Sequence, residues 1–405
     1  MNALRINAGD SIFACRFDFL KNLFLALAAL ACALPAWAGQ PTFKEFDPTG
    51  SIATSPAGIN PQGAIAGTYN DAGGAQHGFV RATDGMVTTF EYPLPAIVTF
   101  FASFTFINPA GVVAGTYNGA DGNSHSFVRS AHGTVTSLDL VDPMTGTFVG
   151  TTVAGINPAG MITGSYGPHG FVRAPGGAVT TFDAAGATGT SPVGINPTGV
   201  IAGTYSDANF VTHGFVRSAD GTITPFDPKG SAFTNTSFIN PAGTIAGIYF
   251  DGNFNTFGFV RAEGGAISTF DLPAVAGLRL AGGGLVGISP DGTVVGSGFY
   301  LTPEFFFVAH GFVRAPNGAV TAFDPPGSTI TQPTGINPQD EITGTYIDSS
   351  GVQHGFLRAK DGTITTLDAP GATGTAAAAI NPAGAITGVY FDSSGEHGFS
   401  LQQGR

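Results

Sequence analysis

Apolar positions along the chain gather in short runs separated by turn residues. Ile65-Ala66-Gly67-Thr68-Tyr69, His77-Gly78-Phe79-Val80-Arg81 and Val87-Thr88-Thr89-Phe90-Glu91 follow one another with only Gly, Asp, Ala or Thr linkers between them. Runs of this length, rich in β-branched and aromatic residues and lacking apolar positions at helical spacing, predict strands joined by tight turns.

The pattern recurs. Ile-Asn-Pro begins at Ile59, Ile107, Ile156, Ile195, Ile239, Ile336 and Ile380, and Ile288 is followed by Ser289 instead, at steps of 39 to 49 residues. That period suits four-stranded propeller blades. Each unit reads as a strand into Ile-Asn-Pro, a second strand, a variable loop, a third strand opening on His-Gly-Phe, a short turn and a fourth strand. The last turn can be typed from Ala82-Thr83-Asp84-Gly85, Ala174-Pro175-Gly176-Gly177, Ala315-Pro316-Asn317-Gly318 and Ala359-Lys360-Asp361-Gly362. Asp or Asn before a left-handed Gly predicts a three-residue hairpin loop. Its register sets His77 opposite Glu91, and the same 14-residue separation joins His125 to Asp139, His169 to Asp183, His213 to Asp227, His310 to Asp324 and His354 to Asp368.

The eighth unit ends at His397-Gly398-Phe399 without a fourth strand, whereas Thr42 to Asp47 is a fourth strand with no unit before it. The expected fold is therefore all-β: an eight-bladed β-propeller of four-stranded antiparallel blades, its ring closed by the N-terminal strand. Residues 39–405 form one domain in this reading. An open solenoid is the alternative, and it gives no reason for the split unit.

Composition narrows the class further. With 10% charged residues, 35 Phe, 61 Gly and 27 Pro the chain is neither disordered nor a helical bundle, and no strict Gly-X-Y period makes it collagen. Leu23 to Ala38 is an apolar run after Arg16 and Lys21 that ends in Ala36-Trp37-Ala38, so residues 1–38 read as a signal peptide cleaved before Gly39. A membrane anchor would want a longer run without Pro35; a lipoprotein at Cys32 is a third reading. Both cysteines, Cys15 and Cys32, fall in the removed segment, which excludes disulfides and thiolate metal sites from the mature chain. Loss of Arg5, Arg16, Lys21, Asp10 and Asp18 takes the formal net charge from −12 to −13, the wrong sign for nucleic acid.

Ile-Asn-Pro-x-Gly-x-Ile-x-Gly followed by His-Gly-Phe-Val-Arg and Thr-Thr-Phe-Asp resembles the bacterial extracellular repeat proteins of the HAF type, from Thr42 to Leu401. The chain departs from them in having Gly rather than Ala after His, and Pro after Asn. The resemblance implies a secreted, propeller-like module and brings no settled activity.

Seven histidines, His77, His125, His169, His213, His310, His354 and His397, open third strands, and the fifth unit has Phe257 there. A His facing an acid could be part of a catalytic triad, but an active site is built once and this pair recurs, so a structural cross-strand pair is expected. His132 occupies a turn position. Asp71, Asp207, Asp348 and Asp392 give about one carboxylate per loop, too few for calcium, and no phosphate-loop pattern is present. No catalytic residue, metal or cofactor is predicted.

In antiparallel units the first-to-second and third-to-fourth turns share one face. Length variation falls on the other, at residues 93–105 with Phe100, Phe101 and Phe104, at 272–284 with Arg279, and at 301–308 with Glu304, Phe305, Phe306 and Phe307. These eight residues are the ligand-binding candidates, against the plainer expectation that the phenylalanines are covered. The functional expectation is a secreted or periplasmic binding or structural module, a monomer without a membrane span, whose partner is an extracellular glycan or protein. The alternative is a propeller-fold polysaccharide lyase or hydrolase using acids such as Asp142, Glu304 or Glu341.

Overall fold

Strands make up the regular structure, and no helix occurs among the residues described, 42–94, 96–97, 105–142 and 145–403 of the computed structural model. Phe43–Gln402 cluster as one unit. Its first repeat consists of strands Ser51–Ile59, Ile65–Asp71, Ala75–Arg81 and Val87–Phe90, hydrogen-bonded antiparallel in sequence order. The same four-stranded pattern returns from Thr105–Ile107 to Val135–Ser137, from Thr151–Ile156 to Val179–Phe182, from Gly189–Ile195 to Ile223–Phe226 and from Phe233–Ile239 to Ile267–Asp271. It continues from Arg279–Ile288 to Val320–Phe323 and from Ser328–Ile336 to Ile364–Leu367. The last repeat has only Gly374–Ile380, Ile386–Phe391 and Glu396–Gln402, and the strand Thr42–Phe46 pairs with the third of these. The pairing expected of the split unit is present. Among the described residues no helix is long and apolar enough to cross a membrane.

The predicted hairpin is also present. Arg81 pairs with Val87 and Gly78 with Phe90, the Ala82 N–H donates to the Met86 carbonyl at 2.8 Å, and Gly85 has φ 95°. Register explains the Gly of His-Gly-Phe. A Cβ on Gly78 would overlap the ring of Phe90, as one on Gly214 would overlap Phe226. In the second repeat the fourth strand is followed by Leu138, not Phe, and the facing position is Ser126, whose carbonyl accepts from the Leu138 N–H at 2.8 Å.

The core runs between repeats as well as within them. Ile65 and Phe79 are fully buried, as are Ile201, Phe215, Ile245 and Phe259. The fourth-strand Phe of one repeat packs edge-on to the third-strand Phe of the next, Phe226 on Phe259 at 5.8 Å and Phe323 on Phe356 at 6.0 Å between centroids. The Arg that ends the third strand lies over the same ring, Arg261 over Phe226 at 5.1 Å and Arg358 over Phe323 at 5.0 Å. Such contacts contribute roughly 0.5–2 kcal/mol each. The N-terminal strand takes part, with Phe46 5.7 Å from Phe79 and Arg81 5.1 Å above Phe46.

Buried Asn residues of Ile-Asn-Pro do two jobs. The Asn60 side-chain oxygen accepts from the N–H groups of Gln62 and Ala64 at 3.1 and 2.9 Å, fixing the turn. Its Nδ2 donates to the Asn108 carbonyl of the next repeat at 3.2 Å. Asn108 does the same to Asn157, Asn157 to Asn196, and Asn240 to Ser289, at 3.3, 3.2 and 2.9 Å. Asn381 donates to the Asn60 carbonyl at 3.0 Å, joining the eighth repeat to the first.

Candidate binding face

The loops between second and third strands, together with those after the fourth strands, lie at the strand ends opposite the Asn turns. There the third-strand His meets the acid foreseen from register: His77 Nδ1 is 2.8 Å from Glu91, His125 2.8 Å from Asp139, His213 2.7 Å from Asp227 and His310 2.7 Å from Asp324; His397, 2.7 Å from Asp47 across the split unit, is a pair the register within one unit did not announce. A second carboxylate, from the loop before the third strand, approaches Nε2 within 3.4 Å in four repeats and lies at 3.9 Å in a fifth, Asp207 at His213. Asp71 is 3.2 Å from His77, Asp121 3.0 Å from His125, Asp348 3.4 Å from His354 and Asp392 3.3 Å from His397. A ring held at both nitrogens by carboxylates is best satisfied as imidazolium. For His397 the Asp47 hydrogen bond is the largest influence and raises the pKa above its ordinary value. In His77, His125 and His354 burial is the largest influence and opposes the charge, yet the carboxylates together outweigh it and raise the pKa. A second-strand Tyr completes each station, Tyr69 stacking on His77 at 4.9 Å and Tyr346 on His354 at 4.8 Å. The repetition makes these pairs parts of the frame.

The loop tips carry what the frame does not explain. Asp71-Ala72-Gly73-Gly74 and Asp348-Ser349-Ser350-Gly351 are three-residue hairpin loops in which Gly74 and Gly351 take φ 82° and 87°. In the fourth, fifth and sixth repeats the same position holds Phe210, Phe254 and Phe305, at φ 62°, 61° and 65°. The loop hydrogen bond is kept, Phe210 N–H to the Asp207 carbonyl at 3.1 Å, Phe254 to Asp251 at 3.0 Å and Phe305 to Thr302 at 2.9 Å. These side chains are 80%, 73% and 77% exposed. A bulky residue in the left-handed region is strained by about 1–2 kcal/mol, and exposing the ring forgoes its burial. Three consecutive repeats bear both penalties where Gly would avoid them.

The candidates chosen from sequence divide. Phe305, Phe306 and Phe307 are 77%, 70% and 71% exposed, which overturns the expectation that they are covered; Glu304 shares their loop and is exposed, and Arg279 is exposed at the start of the sixth repeat's first strand. Phe100, Phe101 and Phe104 lie outside the described residues. Phe210 and Phe254 were missed, although a Phe at the place of a turn Gly was the signal. The acids considered for catalysis do not converge. Asp142 accepts from the Thr145 N–H in its own loop at 2.9 Å, and Glu341 accepts from buried Asn337 Nδ2 at 2.6 Å in an Asn turn, at the strand ends opposite Glu304.

Two cavities bear on function. One, of about 360 Å³, gathers Gly58, Ile59, Phe106, Ile107, Ile156 and Ala379 from the first strands of the first, second, third and eighth repeats. Its walls are mostly apolar, with Thr105 the one polar side chain, and carry no titratable group. The other, of about 270 Å³, opens on the loop face between the fifth and sixth repeats beside Phe254, Phe257 and Asp271.

No family model matches the chain, and no curated protein matches it in sequence. Solved structures resemble it at low identity. A prolyl endopeptidase superposes with TM-score 0.52 at 12% identity over 98% of this chain and 60% of its own. The β-propeller domain of the Trilobed protease from Pyrococcus furiosus has TM-score 0.49 at 9% identity over 78% of this chain and 98% of its own. An Aleuria aurantia lectin in complex with a fucosylated N-acetylglucosamine has 0.35 at 11% over 79% and 97%. At such identities the likeness concerns fold alone. The chain is an all-β protein of repeated four-stranded antiparallel sheets, with β-propellers among its structural neighbours.

Proposed function

We propose that the chain is a secreted, monomeric binding module of the HAF type, an eight-bladed propeller closed by its N-terminal strand, which holds an extracellular glycan on the face of the second-to-third-strand loops. Closure is supported by the pairing of Thr42–Phe46 with Glu396–Gln402, by Arg81 over Phe46 and by the Asn381 to Asn60 bond. Secretion rests on the apolar run and Ala36-Trp37-Ala38. Binding rests on one observation: Phe210, Phe254 and Phe305 are exposed in a backbone conformation suited to glycine. At each site Gly would avoid both the strain and the exposure. Flat apolar rings flanked by the turn groups Asp207, Asn209, Asp251, Asn253 and Asn255 combine stacking surface with hydrogen-bonding partners, the mix expected of a recognition site.

The test replaces all three with the residue used elsewhere, Phe210→Gly, Phe254→Gly and Phe305→Gly, and reads melting temperature beside binding to a glycan array. The expected variant melts no lower than the parent, because strain of roughly 1–2 kcal/mol per site is relieved, and loses the array signal. Retained binding would overturn the assignment of the face; a parent that binds proteins but no glycan would overturn the ligand class.

A further inference from the structure

The fifth repeat breaks the frame at a single point, and a pocket lies there. Phe257 replaces the third-strand His yet keeps its place, stacked on Tyr249 at 5.1 Å and 22° as the imidazoles stack on their tyrosines. The two carboxylates that such a His engages are still present. Asp251 holds the loop, accepting from the Asn253 and Asn255 N–H groups at 2.8 and 2.9 Å and from Asn255 Nδ2 at 3.0 Å. Asp271 stands opposite Phe257 in the sheet. It is exposed, and among the described residues no side chain pairs with it. In the other repeats the acid at this position is matched by an imidazole; here its charge is left without a counter-ion.

The cavity of about 270 Å³ opens against this carboxylate. Phe254, backed by Phe233 at 6.1 Å, and Phe257 supply aromatic walls, Leu280 an aliphatic one, and Asn255 an amide. Asp271 is the one charged residue of the walls; Arg279, although next to Leu280, is not part of them. Sites for drug-sized ligands run to about 300–1,000 Å³, so this one suits a single ring or substituent. A carboxylate beside aromatic rings selects a cation, since ring faces and carboxylate both attract positive charge.

We propose that this pocket receives the ammonium group of a deacetylated amino-sugar unit, with Asp271 as its counter-ion and the rings of Phe254 and Phe257 against the sugar. The inference deepens the glycan reading and rests on it. In mildly acidic solution, where a sugar amine is protonated, it supplies the positive charge that His supplies in the neighbouring repeats, and the exposed ring of Phe254 supplies the stacking surface.

The experiment titrates the full chain, in mildly acidic solution where the sugar amines are protonated, with three soluble oligosaccharides of equal length: a β-linked glucosamine oligomer, its N-acetylated form and a neutral glucan. The glucosamine oligomer is expected to bind about tenfold more tightly than the other two, roughly the effect of one charge-assisted contact. Asp271→Asn should abolish that preference while leaving the weaker binding in place, which separates a local counter-ion from general attraction to an acidic protein. Phe257→His should abolish it as well, by giving Asp271 the imidazole partner found in other repeats; an unchanged melting temperature reports that this variant folds. Equal binding of all three sugars, or a preference that survives Asp271→Asn, overturns the amino-sugar assignment and leaves the glycan reading standing. Binding of none overturns both.

Discussion

A histidine between two carboxylates contributes to stability in a pH window whose direction follows from its shift. The pKa of His397 is raised from 6.5, chiefly by the Asp47 hydrogen bond, so the folded chain holds this proton more tightly than the unfolded one. The stability gained is complete below the ordinary histidine value and fades as pH rises through the raised one. Asp392 works in the opposite direction. Its pKa is lowered, first by the Ser394 hydroxyl and then by its backbone N–H, so its contribution is present above the ordinary aspartate value and is lost on acidification. With His77, His125 and His354 shifted upward too, the protein is expected to be most stable in mildly acidic solution. The melting temperature should fall from about pH 6 to about pH 9, and fall less in His397→Phe, which borrows the residue of the fifth repeat. Identical declines in parent and variant would show that this imidazolium does not contribute.

Between elements, the tight fit of strand on strand makes side-chain choices interdependent. Gly214 lies under the ring of Phe226, and the second repeat shows another solution in Ser126 and Leu138. Gly214→Ser alone is expected to cost about 1–3 kcal/mol by overpacking. Combined with Phe226→Leu it should cost less than the two single changes added, and a thermodynamic cycle from urea melts gives that coupling; strict additivity would mean that the ring does not press on the strand. Such dependence is also why the elements were legible in sequence and parts of the site were not. Strand lengths, the His-to-acid register and the left-handed Gly of the last hairpin follow from alternation and turn chemistry within one unit. The second role of Asn60, donating to Asn108, needs the next repeat in place. The loop carboxylate at His125 Nε2 comes from Asp121, in a loop whose length varies between repeats, so no fixed spacing announces it. Phe305 was read as a candidate because it lies in a loop of outsized length, whereas Phe210 and Phe254, in loops of ordinary length, become conspicuous only with their positive φ and exposure.

At the scale of the molecule, the proposed ring depends on five residues that no other strand can supply. Thr42–Phe46 gives the last sheet its fourth strand, Phe46 is 7% exposed between the last sheet and Phe79, and Asp47 accepts from both His397 and Thr54 at 2.7 and 2.5 Å. If the repeats form an open array, this strand caps one end and its loss perturbs only one terminal unit. In a closed ring its loss opens the seam between last and first repeats, exposing a sheet edge that can pair with other chains. Two variants separate these outcomes. Phe46→Ala, which keeps the strand, is expected to cost about 3–5 kcal/mol as a cavity at a buried ring while the protein stays monomeric. Deletion of residues 39–47 is expected to lower the melting temperature further and to produce oligomers in light scattering. A truncated chain as stable and as monomeric as its parent would rule out closure through the N-terminal strand.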